Sequence, residues 1–450
     1  MASISPSRRK PAVSEAPREQ RGTLLGLPRS ADEIEAIQSL RKRRAVEQAR
    51  RAPFYAGKLD HVNLNKLDDP AEWRKIPILD KDMLRALSDQ EFYGTFCLTP
   101  DDGLAEYWRS GGATGTPLFY PRSIADIDAA MVGFARIFDC TGCARGARAH
   151  VSFPLGIHPV GHMVARAAIT AGITVNWAGS GTTTPSLMQL DLIARLKPSI
   201  WTGMSSYGLH LANLAEARGI DLAAGAVETI LCSAEPLSDA KRAKLARHWG
   251  ARVFDTFGMT EAGMMGAEDE AGGGFRIWTD MFLIEVLDPQ TLAPVGEGEV
   301  GTLVVTPLWT NNVTPFLRWS SGDLVSWRRG EEDGRPYSVF PRVKHAHRTT
   351  GFFKVRGISL NHADMEDFMF ANAAIGDFKA EVVSKHDLDL LVLSIEVRRD
   401  ADAAAVAAEL RQSVKDRFEL TPEVAVLETG TLAKEFEASV KSPRFVDRRQ

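Results

Sequence analysis

Residues 149–258 decide the fold, and they read as a strict alternation. The strand-like pieces are AHVSFPL (149–155), ITVNWAG (173–179), SIWTGMS (199–205), ETILCSA (228–234) and RVFDTFG (252–258). Between them lie amphipathic, helix-like pieces: HMVARAAITAG (162–172), SLMQLDLIARL (186–196), GLHLANLAEARG (208–219) and SDAKRAKLARHWG (238–250). Strands separated by helices of this length form a parallel sheet with helices on its faces. Ligands of such sheets bind along the edge made by the carboxyl ends of the strands. Candidate chemistry is therefore sought where these strands stop.

Outward from this block the texture changes twice. Towards the N-terminus, residues 30–51 predict a helix capped by Ser30 or Asp32, with an apolar stripe of Ile34, Ile37 and Leu40. Pro70 to Leu87 predicts a turn and a short helix capped by Asp80. Beyond Phe275 the helices disappear, and IWTDMFLIEVLD, EVGTLVVTPL, PFLRWSSGDLVSW and YSVFPRV read as strands between turns. RVKHAHRTTG (342–351) reads as a linker. A small α/β pattern follows, with strands FFKVRG, KAEVVSK, LLVLSIEV and EVAVLE and a helix AAAVAAELRQSVKDRF. The first 22 residues have no apolar core, so they read as a disordered, mildly basic tail rather than a secretory signal.

At 450 residues, 44% apolar and 25% charged, the chain has room for two or three domains and is neither a disordered nor a fibrous sequence. A formal net charge of −4 argues against a dedicated nucleic-acid binder. Four cysteines make no disulfide framework, which fits a reducing compartment. The single pair Cys140 and Cys143 lacks the second pair that structural zinc commonly needs. The longest uncharged stretch, from Ala167 to Leu190, is too rich in Gly, Thr and Pro for a spanning helix. The expectation is a cytoplasmic protein with no membrane partner.

Three motifs carry chemistry. Ser110-Gly111-Gly112-Ala113-Thr114-Gly115-Thr116-Pro117 is a loop whose exposed backbone N–H groups and hydroxyls suit phosphate oxygens. It is not a P-loop of the NTPase kind, since no Gly-Lys-Ser/Thr follows, and by itself it reads equally as a Gly-rich turn. Ser233-Ala234-Glu235-Pro236 and Asp255-Thr256-Phe257-Gly258-Met259-Thr260-Glu261 both stand at predicted strand ends. Glu261 offers a hard oxygen to Mg²⁺, Thr260 a hydrogen bond to phosphate, and Phe257 a stacking face for a base; each is also readable as a cap or a solvated loop residue. Arg318-Trp319-Ser320-Ser321-Gly322-Asp323 places an Asp on an apparent tight turn. Asp323 is then either a turn-former or the acceptor for two ribose hydroxyls.

Taken in order, these segments resemble the adenylate-forming superfamily, and within it the phenylacetate-CoA ligase-like family. SGGATGTP is similar to that family's phosphate loop, and SAEP, FGMTE, GTLVVTPL and RWSSGD to its successive core motifs. KIPILDKDML, WTDMFLIEVLDP, KVRGISLNHADME and VKSPRFVDRR resemble the segments around them, so the likeness runs from Pro70 to Arg449. It implies an α/β fold. A large N-terminal adenylation domain (23–348) would combine α/β and β-barrel subdomains. A small mobile α+β domain (349–450) would follow the tail of residues 1–22. It implies ATP, Mg²⁺ and CoA as cofactors. A carboxylic acid would be converted to acyl-AMP and then to a CoA thioester.

Carried over residue by residue, the resemblance implies catalytic roles for Lys441, Glu261, Thr260 and Arg348, with Glu261 on Mg²⁺. Nucleotide contacts fall on Ser110 to Gly115, Ser233 to Pro236, Asp255 to Gly258, and Asp323. The hinge is Gly351, and the CoA step falls to Lys354, Arg356 and Gly357. The acyl pocket involves Trp177, Ala178 and Gly179, then Gly203, Ser206 and Tyr207. Phe153, His158 and His162 stand where they could approach it, the histidines being readable as structural too. An aromatic and small-residue lining suits a flat aryl or arylacetic acid.

The chain departs from the family pattern at several positions. A Lys is usual where Thr116 stands, a Tyr at Phe257, an Asp or Lys at the hinge Gly351, a Pro at His362 and a Gly at Val440. Lys434 is a second candidate for the tail lysine. Two other readings stay open: an adenylating enzyme with a carrier-protein thiol or an amine as acceptor, and a non-catalytic nucleotide-binding protein of the same fold. A homodimer is also left open.

Overall fold

The computed structural model describes residues 26–99, 103–110, 117–348, 352–385, 388–432, 434 and 444–449. The predicted tail 1–22, loop residues 111–116, hinge Gly351 and tail residue Lys441 lie outside the described residues.

The first predicted helix is α1 (Ala31–Arg50), and the Ser30 side chain accepts from the Glu33 N–H as its N-cap. Asp80 caps α2 (Lys81–Arg85) in the same way through the Met83 N–H. The antiparallel strands β1 (Leu104–Arg109) and β2 (Phe119–Ser123) flank the Gly-rich loop. A long helix that the pattern did not separate, α3 (Ile124–Cys140), follows at once, closed by a Ser123–Asp126 capping box. Its centre is buried from Ala129 to Phe138 except for Met131.

The alternation at 149–258 folds as expected. The strands are β3 (Arg148–Val151), β4 (Thr174–Trp177), β5 (Ile200–Gly203), β6 (Thr229–Cys232) and β7 (Arg252–Met259). The helices are α4 (Pro159–Thr170), α5 (Ser186–Leu196), α6 (Ser205–Ala217) and α7 (Asp239–Trp249). All four neighbouring pairs of strands are parallel, in the order β7-β6-β5-β3-β4. β5 and β6 are buried throughout, as strands covered on both faces must be.

The later strands join the same sheet. They are β8 (Gly263–Ala267), β9 (Phe275–Ile277), β10 (Phe282–Leu287), β11 (Val300–Pro307), β12 (Trp319–Arg328) and β13 (Arg342–Arg348). Together they extend the parallel part into an eleven-stranded sheet ordered β10-β11-β12-β13-β9-β8-β7-β6-β5-β3-β4. The antiparallel part expected as a β-barrel is thus an open continuation of the sheet, with no closed barrel among the described residues. Two predictions change here. RVKHAHR is not a linker but β13, paired with both β12 and β9. Asp323 lies within β12 rather than on a tight turn between strands, because Gly322 takes φ +77° and the local irregularity is absorbed by the ladder.

The C-terminal unit starts with a hairpin of β14 (Phe352–Val355) and β15 (Ile358–Asn361). Arg356 and Gly357 form its two-residue turn, both with positive φ, which matches the twist of such hairpins. Helix α8 (His362–Ala371) follows. A second sheet is ordered β18-β17-β16-β19, from β16 (Ile375–Lys385), β17 (Leu388–Val397), β18 (Glu423–Leu427) and β19 (Phe445–Asp447), with α9 (Ala403–Phe418) beside it. His362 occupies the first helical position, where proline is usual. Its ring stacks on Phe445 at 4.3 Å and 4°, tying the helix start to the tail strand.

The unit docks onto α7 through buried charge. Lys241 Nζ lies 2.8 Å from Glu366 Oε1, and Lys244 Nζ donates to the Ile375 and Gly376 carbonyls at 2.5 and 2.6 Å. Arg444, three residues beyond Lys441, pairs with Asp377, lies 3.4 Å from Glu366 and donates to the Phe378 carbonyl at 2.6 Å. Glu366, Asp377 and Lys241 are all buried. Removing one ion from such a set strands the others in a medium of low dielectric. Arg444→Met should therefore lower the unfolding free energy by about 3–5 kcal/mol, seen as a lower denaturant midpoint. A loss below about 1 kcal/mol would show that Arg444 is not the anchor of this unit.

Candidate functional site

The segments at Trp177, Gly203, Ser233–Pro236 and Asp255–Glu261 reach one edge of the sheet, whereas Asp323 and Arg348 lie in the β12–β13 ladder and Lys354, Arg356 and Gly357 on a separate two-stranded sheet. Ladder register places Gly203 beside Cys232 and Cys232 beside Asp255, so Met204–Ser205, Ser233–Glu235 and Thr256–Gly258 follow adjacent strand positions. Trp177 pairs with Val151 on the other side. β7 then turns back into β8 through Thr260-Glu261-Ala262, with Met259 paired to Gly263. The turn is tight: a Cβ on Gly258 would lie 2.7 Å from the Gly263 carbonyl oxygen, so that position requires glycine.

The SAEP loop is held from the start of α6. Glu235 accepts from Ser205 Oγ at 2.6 Å, from Ser206 Oγ at 2.8 Å and from the Ser206 N–H. Lys241 Nζ stands 4.0 Å away. Burial opposes the charge on Glu235, but Lys241 and these three donors hold its carboxyl below the ordinary range. Ala234 takes φ +71°, a conformation costly for a residue with a Cβ, so the loop is backed by its surroundings. Ser206, expected at the acyl pocket, is thus a ligand of Glu235. One strand along, Thr256 Oγ1 donates to the Cys232 carbonyl at 2.9 Å, while Asp255 accepts from the Thr256 N–H. Burial first, and then the Glu268 carboxylate, push the Asp255 carboxyl well above its usual value. Phe257 is buried, its ring stacked 5.4 Å from Phe275 and edge-on to His345 at 4.9 Å. One of its faces is therefore already taken by protein.

The turn bearing Thr260 and Glu261 is built by β2, the strand that leads out of the Gly-rich loop. Arg122 is fully buried, and its guanidinium donates to the Thr260 and Glu261 carbonyls, each at 2.7 Å. The same group donates to the Thr310 carbonyl and Thr314 Oγ1, each at 2.9 Å, and stands over the Trp108 ring. Tyr120 O–H donates to Glu261 Oε1 at 3.0 Å. Burial, reinforced by the Glu261 charge, drives the Tyr120 phenol far above its ordinary pKa and keeps it a donor. Sequence reading missed both residues. The signal was available: a Tyr and an Arg two apart, immediately after a candidate phosphate loop, share one face of a strand.

Ser110 closes the foot of the loop, its hydroxyl accepting from the Leu118 N–H at 3.0 Å. Asp323 is buried, and its backbone stands opposite Arg348 in the β12–β13 ladder, so an expected nucleotide residue and an expected catalytic residue are register partners. Lys354, Arg356 and Gly357 are exposed on the β14–β15 hairpin.

The expected acyl-pocket residues divide. Phe153, Ala178, Gly179, Gly203 and Tyr207 are buried and Trp177 is exposed. His158 Nε2 accepts from Arg109 at 3.0 Å, and His162 Nε2 meets the Gly156 carbonyl at 3.1 Å, so both histidines have local partners. A histidine that sequence reading passed over fixes this region. His150 is buried and held neutral, its pKa lowered to about 4 chiefly by desolvation. Asn176 Nδ2 donates to its Nδ1 at 2.9 Å, which leaves Nε2–H for Gln189 Oε1 at 3.1 Å. Gln189 in turn donates to the Gly179 and Thr184 carbonyls, at 2.8 and 3.0 Å. A cavity of about 230 Å³ lies at the seam with the C-terminal unit, lined by His210, Asn213, Asp377 and Glu396 among others, none of them expected site residues.

Among the described residues no cluster of three His, Cys, Asp or Glu side chains could cage a metal ion. Magnesium with a nucleotide needs only one or two carboxylates besides phosphate oxygens and water. Glu261 fits that need. It is buried, one oxygen is engaged by Tyr120, and no other described residue donates to its carboxylate.

Comparison with known proteins agrees with this geometry. The family model described as AMP-binding enzyme matches residues 80–309, just over half of the chain. The phenylacetate-coenzyme A ligase of Thermus thermophilus is 30% identical over 434 residues, covering 90% of this chain and 94% of that protein. That of Aromatoleum evansii is 28% identical, covering 93% and 96%. In fold, the chain is similar to 2-hydroxyisobutyryl-CoA ligase in the postadenylation state in complex with 2-HIB-AMP. The TM-score is 0.79 at 23% identity, over 93% of this chain and 90% of that one.

The Arg122 interaction gives a direct test of the site's construction. Arg122→Met deletes the donors to four acceptors while roughly keeping volume. Breaking a buried charged network in this way should cost about 3–5 kcal/mol of stability. Equilibrium denaturation checks it, and a cost near zero would mean that the turn is held by something else.

Proposed function

The chain belongs to the AMP-binding enzyme family, and on that premise we propose that it is an AMP-forming acid–CoA ligase of the phenylacetate type. ATP and a carboxylic acid give acyl-AMP and pyrophosphate, and CoA then takes the acyl group as a thioester, releasing AMP. The acid we propose is an aryl or arylacetic acid. A carboxylate resists nucleophiles because of its charge and its poor leaving group, and joining it to AMP removes both obstacles. The observation that carries this reading is the convergence of Ser233–Glu235, the Thr260–Glu261 turn and the strand leaving the Gly-rich loop on one sheet edge, locked by Arg122 and Tyr120.

Within this reading, Ser233 to Pro236 and Asp255 to Gly258 hold the base and sugar side of the nucleotide, and Asp323 accepts from the ribose hydroxyls. Ser110 to Gly115 cradle the phosphates through backbone N–H groups. Thr260 and Arg348 hold phosphate oxygens. Mg²⁺, when bound, neutralises phosphate charge through Glu261. Lys441 brings a cation to the meeting point of carboxylate and α-phosphate. Phosphoryl transfer of this kind is chiefly positioning and charge neutralisation, which is what these groups supply. Lys354, Arg356 and Gly357 serve the thioester step once the C-terminal unit, residues 349–450, swings about Gly351. The N-terminal part, 23–348, keeps the adenylation site. No helix among the described residues is long and apolar enough to cross a membrane. A cytoplasmic setting, without nucleic-acid or membrane partners, completes the reading, and the free thiols of all four cysteines suit it.

Pyrophosphate release over a panel of carboxylic acids, with and without CoA, tests the proposal. Aryl or arylacetic acids should support it best, and the thioester should form only with CoA. Turnover without CoA but with an amine or a carrier-protein thiol would redirect the acceptor; silence across the panel would overturn the ligase reading.

Two variants probe the assigned residues. Asp323→Ala should raise the KM for ATP at least tenfold, since charged hydrogen bonds are worth about 1.5–3 kcal/mol each. An unchanged ATP affinity in the folded variant would return Asp323 to a purely structural role. Lys441→Ala should nearly abolish acyl-AMP formation yet leave synthetic acyl-AMP plus CoA reacting at close to the normal rate, because its contact forms mainly in the first transition state. Lys434→Ala should spare both steps. Equal damage to both half-reactions by Lys441→Ala would sink the assignment, and loss of adenylation in Lys434→Ala alone would name the other lysine.

A further inference from the structure

Tyr120 sits on β2 with its ring wholly buried, 6.0 Å from Phe92 and 5.5 Å from Phe316, both edge-on. Its hydroxyl is aimed out of this aromatic cluster at one acceptor, Glu261 Oε1, 3.0 Å away. A buried phenol needs a partner, and a backbone carbonyl would serve as well. Here the partner is instead the carboxylate of the turn between β7 and β8. The terminal torsion of a glutamate is soft and roughly two-fold, so an unrestrained carboxylate would rotate between its oxygens. The Tyr120 bond removes that freedom, and Arg122 fixes the backbone of the same residue through the Glu261 carbonyl at 2.7 Å.

We propose that Tyr120 is a positioning residue for the metal–nucleotide complex: its hydroxyl pins Glu261 Oε1 so that Oε2 is presented, already oriented, to the Mg²⁺ of Mg·ATP. The proposal rests on the reading of Glu261 as the carboxylate that meets that ion. Partners of metal ligands act by orienting the ligand and setting its charge, and their loss typically costs about 10–100-fold in metal affinity. The residue lies on the strand leaving the phosphate loop. The same strand that delivers the chain from the phosphates therefore also sets the oxygen that binds their counter-ion.

The test uses the full chain with a non-hydrolysable ATP analogue and Mn²⁺ as the probe ion, bound Mn²⁺ being followed by its electron paramagnetic resonance. Tyr120→Phe removes only the hydroxyl and keeps the ring contacts, so it should fold, with its melting temperature lowered by a few degrees at most. It should weaken Mn²⁺ binding about tenfold or more, and it should raise the Mg²⁺ concentration for half-maximal pyrophosphate release in step. Glu261→Gln should weaken binding at least as much. In the double variant the loss of the hydroxyl should add nothing, because there is no carboxylate left to orient. Unchanged Mn²⁺ affinity in Tyr120→Phe, with affinity lost in Glu261→Gln, would overturn the positioning role alone. Unchanged affinity in both would overturn the Glu261 reading with it. Additive losses in the double variant would show that Tyr120 acts on the site by some route other than Glu261, and would also overturn the proposal.

Discussion

The Arg122 guanidinium is the constraint on which the site depends. It is buried completely, and burial of a cation costs several kcal/mol unless its donors are met. Here Nη1 and Nη2 are met by the Thr260, Glu261 and Thr310 carbonyls and by Thr314 Oγ1, and Nε alone has no hydrogen-bond partner among the described residues. Those acceptors come from two places distant in sequence: the β7–β8 turn and the segment after β11. The donor comes from a third, the strand after the Gly-rich loop. Hydrogen-bonding requirements that cannot be satisfied by water thus force three chain segments into one register. The Tyr120–Glu261 bond, two residues away on the same strand, adds direction to what Arg122 holds in place.

A second set of buried charges does the corresponding work between the two parts of the chain. Glu235, Lys241, Glu366, Arg444 and Asp377 alternate in sign across the seam. Lys241 stands between the carboxylate of the SAEP loop and a carboxylate of α8. Its charge is stabilised by both, which outweighs the desolvation that would otherwise lower its pKa. Because Glu235 is also gripped by Ser205 and Ser206, the geometry of the SAEP loop and the docked position of the C-terminal unit share one ion. Any movement of that unit must separate Lys241 from Glu366 and withdraw the Ile375 and Gly376 carbonyls from Lys244.

Much of this was legible in the sequence, and the reasons are local. The βα alternation at 149–258 carries its own periodicity, and Ser30 and Asp80 are caps that act within one turn, so these readings needed no tertiary knowledge. The failures mark places where tertiary context decided. RVKHAHR looks like a charged linker because its polar residues show no clean alternation, yet its backbone is satisfied by β12 on one side and β9 on the other. Ser320-Ser321-Gly322-Asp323 carries every local signal of a turn. The sheet accommodates it as an irregular strand because Gly322 can adopt positive φ. Helix α3 was passed over although its pattern is amphipathic, because its buried face takes in nearly all of its central residues, from Ala129 to Phe138 except Met131. Tyr120 and Arg122 were missed for a different reason. Their shared strand face after the Gly-rich loop is legible locally, but their partners lie some 140 residues away and only the fold brings them together.

The absence of a lysine at Thr116 sharpens the electrostatic argument. Arg122 follows the loop closely and would seem the natural substitute cation for the phosphates. Its donors are nevertheless turned inward to four protein acceptors, and the side chain is sealed from the edge where ligands bind. A guanidinium so committed and so completely buried stabilises the protein framework and is out of reach of a nucleotide. Phosphate charge at this loop must then be met by the backbone N–H groups of the loop itself, by an ion at Glu261, and by cations brought by the C-terminal unit. Each of these is weaker or less permanent than a fixed lysine, so the orientation of Glu261 matters more here than in a site where such a lysine already carries part of the load.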